Sequence, residues 1–166
     1  MNEVNLSKVL IRDTVLLDVE PFTDKETMFE TLAAKFEAAG IVTDAKQYIK
    51  ALEERETLGS TYMGNMIALP HGKCDAVVKP GIGFCRCKQT FRYCSHDEEG
   101  DVRYVFMLAI AANQSSDQYL RVLATLAGLL THEEFIEVLE HAQSYEEIIQ
   151  AINTLQSNCA YDFIFL

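Results

Sequence analysis

The sequence predicts an α/β fold, a single layered domain with a mixed β-sheet flanked by helices. Three observations carry that prediction. Ser/Thr-x-x-Glu/Gln boxes open four helical stretches. Between the helical blocks the apolar period changes to that of strands. The run Val105 to Ala112 is continuously apolar, as a central strand covered on both faces requires.

The elements follow in order. Thr14–Val19 reads as a strand. Thr23-x-x-Glu26 opens a helix carrying Met28, Phe29, Leu32, Ala33 and Phe36, and Gly40 ends it. Thr43 or Asp44 opens a second helix with Tyr48, Ala51 and Leu52 as its apolar stripe. Met66–Leu69, Gly81–Lys88 and Arg103–Ala111 read as strands. Three helices then start at Ser115-x-x-Gln118, Thr131-x-x-Glu134 and Ser144-x-x-Glu147. The last stretch, Cys159–Leu166, is apolar and reads as an edge strand or a packed tail.

The 166 residues carry 14 Lys+Arg against 25 Asp+Glu, a net charge of −11. Length and composition (49% hydrophobic, 23% charged) fit one domain, 1–166, with its own core. The acidic balance opposes nucleic-acid binding, because a cationic surface is what releases counterions from phosphates. The apolar runs are far shorter than the roughly 18 residues of a membrane span, so no membrane insertion is expected. The start has no basic segment followed by an apolar stretch, and a cytoplasmic location is expected. Five cysteines without a Cys-x-x-Cys fit reduced thiols.

Chemistry concentrates between Arg55 and Gly72. A basic residue closes a helix. A loop with Gly59, Ser60, Thr61 and Gly64 follows, and a short strand then delivers Pro70-His71-Gly72. Pro70 and Gly72 would hold His71 rigid and accessible. A neutral imidazole can attack phosphorus. Gly59, Gly64 and the Ser60 and Thr61 hydroxyls can donate to phosphate oxygens, and Arg55 supplies a planar cationic fork. Other clusters read as structural. Cys85-x-Cys87, Cys94-x-His96 and His71-x-x-Cys74 contain zinc-type ligands, but Cys-x-Cys on a strand places two small apolar side chains on one face. No metal is therefore expected. Asp97-Glu98-Glu99-Gly100-Asp101 reads as a solvated turn, and His132 and His141 as helix-end residues.

The string Arg55-Glu56, Gly59 to Gly64 and Ile67-Ala68-Leu69-Pro70-His71-Gly72 resembles the active-site motif of phosphotransferase-system enzyme IIA components of the fructose/mannitol family. The resemblance spans roughly residues 10–153. It includes Val105–Ile110 and Leu120-x-x-Leu123-x-x-Leu126-Ala127. It implies a mixed sheet flanked by helices and phosphoryl transfer without cofactor or metal. His71 would accept phosphate from the histidine phosphocarrier protein and pass it to a cysteine of enzyme IIB during sugar uptake. Arg55 would stabilise the phosphate, with Thr61 and Gly64 in support. Many members carry a second histidine where this chain has Tyr119, which can donate a hydrogen bond but not carry a positive charge. The alternative on the same fold is a regulatory module whose phosphorylation controls a protein partner.

Overall fold

The computed structural model describes residues 5–164, with side chains through residue 156. The chain forms two compact units, one of Leu10–Gln114 and one of Met1–Val9 with Ser115–Leu166.

The first unit holds a six-stranded mixed sheet, ordered β1 (Leu10–Val19), β5 (Gly81–Ser95), β6 (Glu98–Ala111), β3 (Ile67–Ala68), β2 (Tyr62–Gly64). β4 (His71–Cys74) also pairs with β6, off that path. β5 and β6 form a long antiparallel hairpin, whereas β1 runs parallel to β5 and β3 and β4 run parallel to β6. Two helices, α2 (Lys25–Ala38) and α3 (Ala45–Glu56), contribute Phe29, Phe36, Tyr48 and Leu52 to the core on one face. Val105, Met107, Ala109 and Ala111 of β6 meet them there. The intervening Tyr104, Phe106, Leu108 and Ile110 are buried on the opposite face, as strand alternation requires. The mixed-sheet α/β fold is thus the one the sequence predicts, with β6 central and buried throughout its second half.

Two local features set where the helices lie. α2 ends in a Schellman motif: Gly40 adopts φ 76°, Gly40 N–H donates to Glu37 O, and Ile41 N–H donates to Phe36 O. α3 is tied to the sheet by the buried Tyr48 hydroxyl, which donates to Leu108 O at 2.6 Å.

The second unit contains α1 (Leu6–Val9), α4 (Ser116–Leu129), α5 (Glu133–His141) and α6 (Tyr145–Ile164). Ser115 and Gln118 form the full reciprocal capping box at α4. Ser144 Oγ accepts from Glu147 N–H at α6. Two expected caps are corrected. α2 is capped by Asp24, whose carboxylate accepts from Thr27 N–H at 2.7 Å, not by Thr23. An ionised acceptor at the positive end of a helix outcompetes a hydroxyl. At α5 the N-cap is His132, and the Thr131 hydroxyl donates back to Gly128 O instead. The stretch expected as an edge strand or tail continues α6 as helix to Ile164; residues 165–166 lie outside the described residues. Among the described residues no helix is long and apolar enough to cross a membrane.

Candidate active site

Arg55 lies in the last turn of α3, and His71 is the first residue of β4. They are brought together because α3 packs closely on β4, and Gly72 permits that approach. A Cβ there would lie 3.1 Å from the Leu52 backbone nitrogen and 3.2 Å from the Ala51 methyl. The register is fixed from below: His71 lies opposite Leu108 of β6, and Pro70 O accepts from Leu108 N–H.

The result is a direct contact. Arg55 Nε donates to His71 Nε2 at 2.9 Å, and Arg55 Nη1 donates to Gly59 O at 2.9 Å. On the other side of the ring, His71 Nδ1 lies 3.1 Å from Leu69 O. A carbonyl only accepts and a guanidinium only donates. The proton therefore sits on Nδ1, and Nε2 presents its lone pair. Burial lowers the His71 pKa from its ordinary 6.5; the Leu69 carbonyl acts against that, the Arg55 charge adds to it, and the Glu56 charge opposes it. The ring is neutral at neutral pH with a fixed tautomer, an arrangement in which Nε2 can act as a nucleophile.

Beneath Arg55 lies a buried polar network that the residues of the motif did not announce. Glu56 is 8% exposed, and its carboxylate pairs with Lys25 Nζ at 3.0 Å. Ser95 Oγ donates to Glu56 Oε1 at 2.8 Å, and Thr61 Oγ1 donates to Glu56 Oε2 at 2.7 Å. Thr61 N–H donates to Ser95 Oγ, and the Tyr93 hydroxyl lies 2.6 Å from Thr61 Oγ1. Burial and the Glu56 charge push the Tyr93 pKa well above 10, so Tyr93 is a protonated donor. Every donor in the chain of bonds points toward Glu56.

The supporting residues expected from the sequence divide accordingly. Thr61 is buried, with its N–H and hydroxyl both engaged in this network. Its expected donation to phosphate gives way to a positional role, because a hydroxyl has one proton to give. Ser60 Oγ accepts from Tyr62 N–H, which leaves its proton for another acceptor. Gly64 serves the turn between β2 and β3. Gly64, Asn65 and Met66 adopt φ of 78°, 53° and 65° in succession; glycine takes that conformation without strain, whereas Asn65 and Met66 hold it with a side chain, as the two central residues of a tight hairpin turn must. Tyr119 is half-buried in the first turn of α4, in the second unit. Of the cysteines, Cys85 and Cys87 are buried in the core and Cys94 is exposed. No cluster of three or more metal-ligating side chains occurs among the described residues.

Residues 8–154 match the family model for the phosphoenolpyruvate-dependent sugar phosphotransferase system, EIIA 2. The chain belongs to this family. It is 33% identical over 150 residues to the fructose-specific EIIABC component of Bacillus subtilis, covering 90% of this chain and 23% of that protein. The chain thus spans about a quarter of the length of that curated relative. The fructose-specific EIIA component of Haloferax volcanii is 31% identical over 148 residues, covering 89% of this chain and 94% of the relative. Among solved structures, the nitrogen regulatory protein IIA-Ntr of Neisseria meningitidis superposes with a TM-score of 0.77 at 26% identity, covering 88% of this chain and 97% of that one. Mannitol enzyme IIA of Escherichia coli, solved in complex with phosphorylated enzyme IIB, superposes with a TM-score of 0.70 at 27% identity, covering 87% and 97%.

Proposed function

We propose that this EIIA-family chain, 1–166, is a cytoplasmic phosphoryl carrier. It accepts phosphate on His71 Nε2 from the histidine phosphocarrier protein and passes it to a cysteine of enzyme IIB for sugar uptake. The Arg55 Nε to His71 Nε2 contact carries the reading. In the first step the Nε2 lone pair forms a bond to phosphorus. The phosphorus–nitrogen bond of the donor phosphohistidine breaks, and its electron pair returns to the donor imidazole. Arg55 leaves the lone pair as phosphorus arrives, and its N–H groups turn to the phosphoryl oxygens, where charge is spread in the transition state. In the second step a thiolate sulfur of enzyme IIB attacks, and the electron pair returns to His71. No metal or cofactor is needed. A protein donor suits the surroundings: Leu58, Met63 and Met66, between Arg55 and His71 in the chain, are large apolar side chains left exposed.

The fit to IIA-Ntr favours a second reading, in which the phosphorylation state of His71 controls a protein partner. Incubation with phosphoenolpyruvate, enzyme I and the phosphocarrier, followed by intact mass, tests the shared first step. One acid-labile phosphoryl group is expected on the native chain and none on His71→Ala. Onward transfer to a purified enzyme IIB separates transport from regulation. Labelling that persists in His71→Ala rejects the assignment.

A further inference from the structure

We infer that Glu56 is a positioning residue for Arg55, acting through the loop Thr57–Thr61. This rests on the reading of His71 and Arg55 given above. Three observations carry it. First, a carboxylate buried to this degree is costly unless fully partnered, and Glu56 is fully partnered by Lys25, Ser95 and Thr61. Second, Lys25 is the first residue of α2, where the helix dipole disfavours a cation. Its position is explained by Glu56, 3.0 Å away. Third, the network grips both ends of one short loop. Glu56 is at its start, next in the chain to Arg55, and Thr61 is at its end. The carbonyl of Gly59, in the middle of that loop, holds Arg55 Nη1.

The loop therefore has little freedom. Thr61 is fixed by three bonds to β5 and α3, and the Gly59 carbonyl is fixed with it. The guanidinium is aimed by that carbonyl on one side and by His71 on the other. Glu56 makes no hydrogen bond to His71; its charge acts on the ring directly only by raising the His71 pKa, against the larger lowering by burial. Glu56 sets the angle at which Arg55 meets the ring. A misplacement of about 1 Å at a reacting centre costs roughly 10²-fold in rate.

The test is a double-mutant cycle. Glu56→Gln keeps the shape of the side chain but sets an amide donor against donors from Thr61 or from Lys25 and Ser95. It should slow phosphorylation of His71 by about 10²-fold. In an Arg55→Ala background the same change, measured above pH 6.5 where His71 is neutral with or without the Glu56 charge, should have little further effect, because the route through Arg55 is gone. Nitrogen-15 NMR of the unphosphorylated chain gives a second readout: the Arg55 Nε–H resonance should shift and exchange faster in Glu56→Gln. If Glu56→Gln does not fold, Ser95→Ala removes one arm of the network and carries the same cycle. A native rate with an unchanged Arg55 resonance overturns the inference. So do equal losses in both backgrounds, which would mark Glu56 as acting independently of Arg55. A native chain that takes no phosphate defeats the functional reading instead, and the NMR readout still decides the positioning.

Discussion

Arg55 occupies the lone pair of His71: its Nε–H points at Nε2 from 2.9 Å, while Nδ1 is turned to Leu69 O. One residue thus fixes the orientation of the ring and covers the nitrogen that the proposed function would phosphorylate. On the proposed function, the same guanidinium would face a phosphoryl group arriving at Nε2.

Removing that cation should be costly. Loss of one preorganised donor to a developing charge commonly lowers rate by ~10²–10³-fold. Arg55→Ala should fall in that range in rapid-quench phosphorylation by the phosphocarrier. Arg55→Lys should recover only part, since an ammonium cannot hold Gly59 O and a phosphoryl oxygen with a planar fork. Native kinetics in Arg55→Ala would return Arg55 to an ordinary helix-end charge.

Acid should act on both rate and stability through His71. Burial places its folded pKa below the ordinary 6.5. Above 6.5 the ring is neutral in folded and unfolded chains, and its contribution to stability is fully present. As pH falls from 6.5 toward the folded value, the unfolded state binds the proton first and that stability is lost. The phosphorylation rate should stay level through neutrality and fall only below the folded pKa, as Nε2 is protonated. In His71→Ala the acid-side loss of stability, read by urea denaturation at several pH values, should shrink.

Gly72→Ala should separate α3 from β4. The added methyl would lie 3.1 Å from Leu52 N and 3.2 Å from Ala51 Cβ and Tyr48 Cε2, so α3 must give by a few tenths of an ångström to admit it. Overpacking of this kind costs about 1–3 kcal/mol. Because Arg55 rides on α3 and His71 on β4, the variant should also lose phosphorylation rate beyond what its unfolded fraction explains. A destabilised Gly72→Ala with a native rate per folded molecule would separate the packing from the site.

Tyr48→Phe removes the hydroxyl that donates to Leu108 O inside the core. The buried carbonyl is left without that partner, at a cost of about 1–3 kcal/mol. Chemical denaturation should show this as a lower midpoint with an unchanged slope.

Tyr119 stands where the family resemblance places a second histidine. A histidine ordinarily titrates near neutrality, so Tyr119→His should alter the pH–rate profile. An unchanged profile would make the replacement incidental.

The elements written locally in the sequence were legible; those made by distant partners were not. The Ser115-x-x-Gln118 box predicts its own geometry because all its atoms lie within one turn. β6 is legible as a long apolar run. β4 is not, because His71-Gly72-Lys73-Cys74 shows no alternation and becomes a strand only by pairing with Leu108–Ala111. α1 and β2 are too short to show a period. The Arg55–His71 pair was legible through the motif. Glu56 was visible as Arg55's neighbour, but its partners Lys25 and Ser95 lie far off in the chain. One signal for them was available in the lysine at the very start of a capped helix, where a cation is out of place.

The most direct test is the position of the phosphate on the His71 ring. Phosphorus-31 and nitrogen-15 NMR of the phosphorylated chain distinguish the two ring nitrogens. Phosphate on Nε2, with the proton retained on Nδ1, is the expected result, because Leu69 O holds Nδ1–H and Arg55 faces Nε2. Phosphate on Nδ1, or on a residue other than His71, would contradict the account.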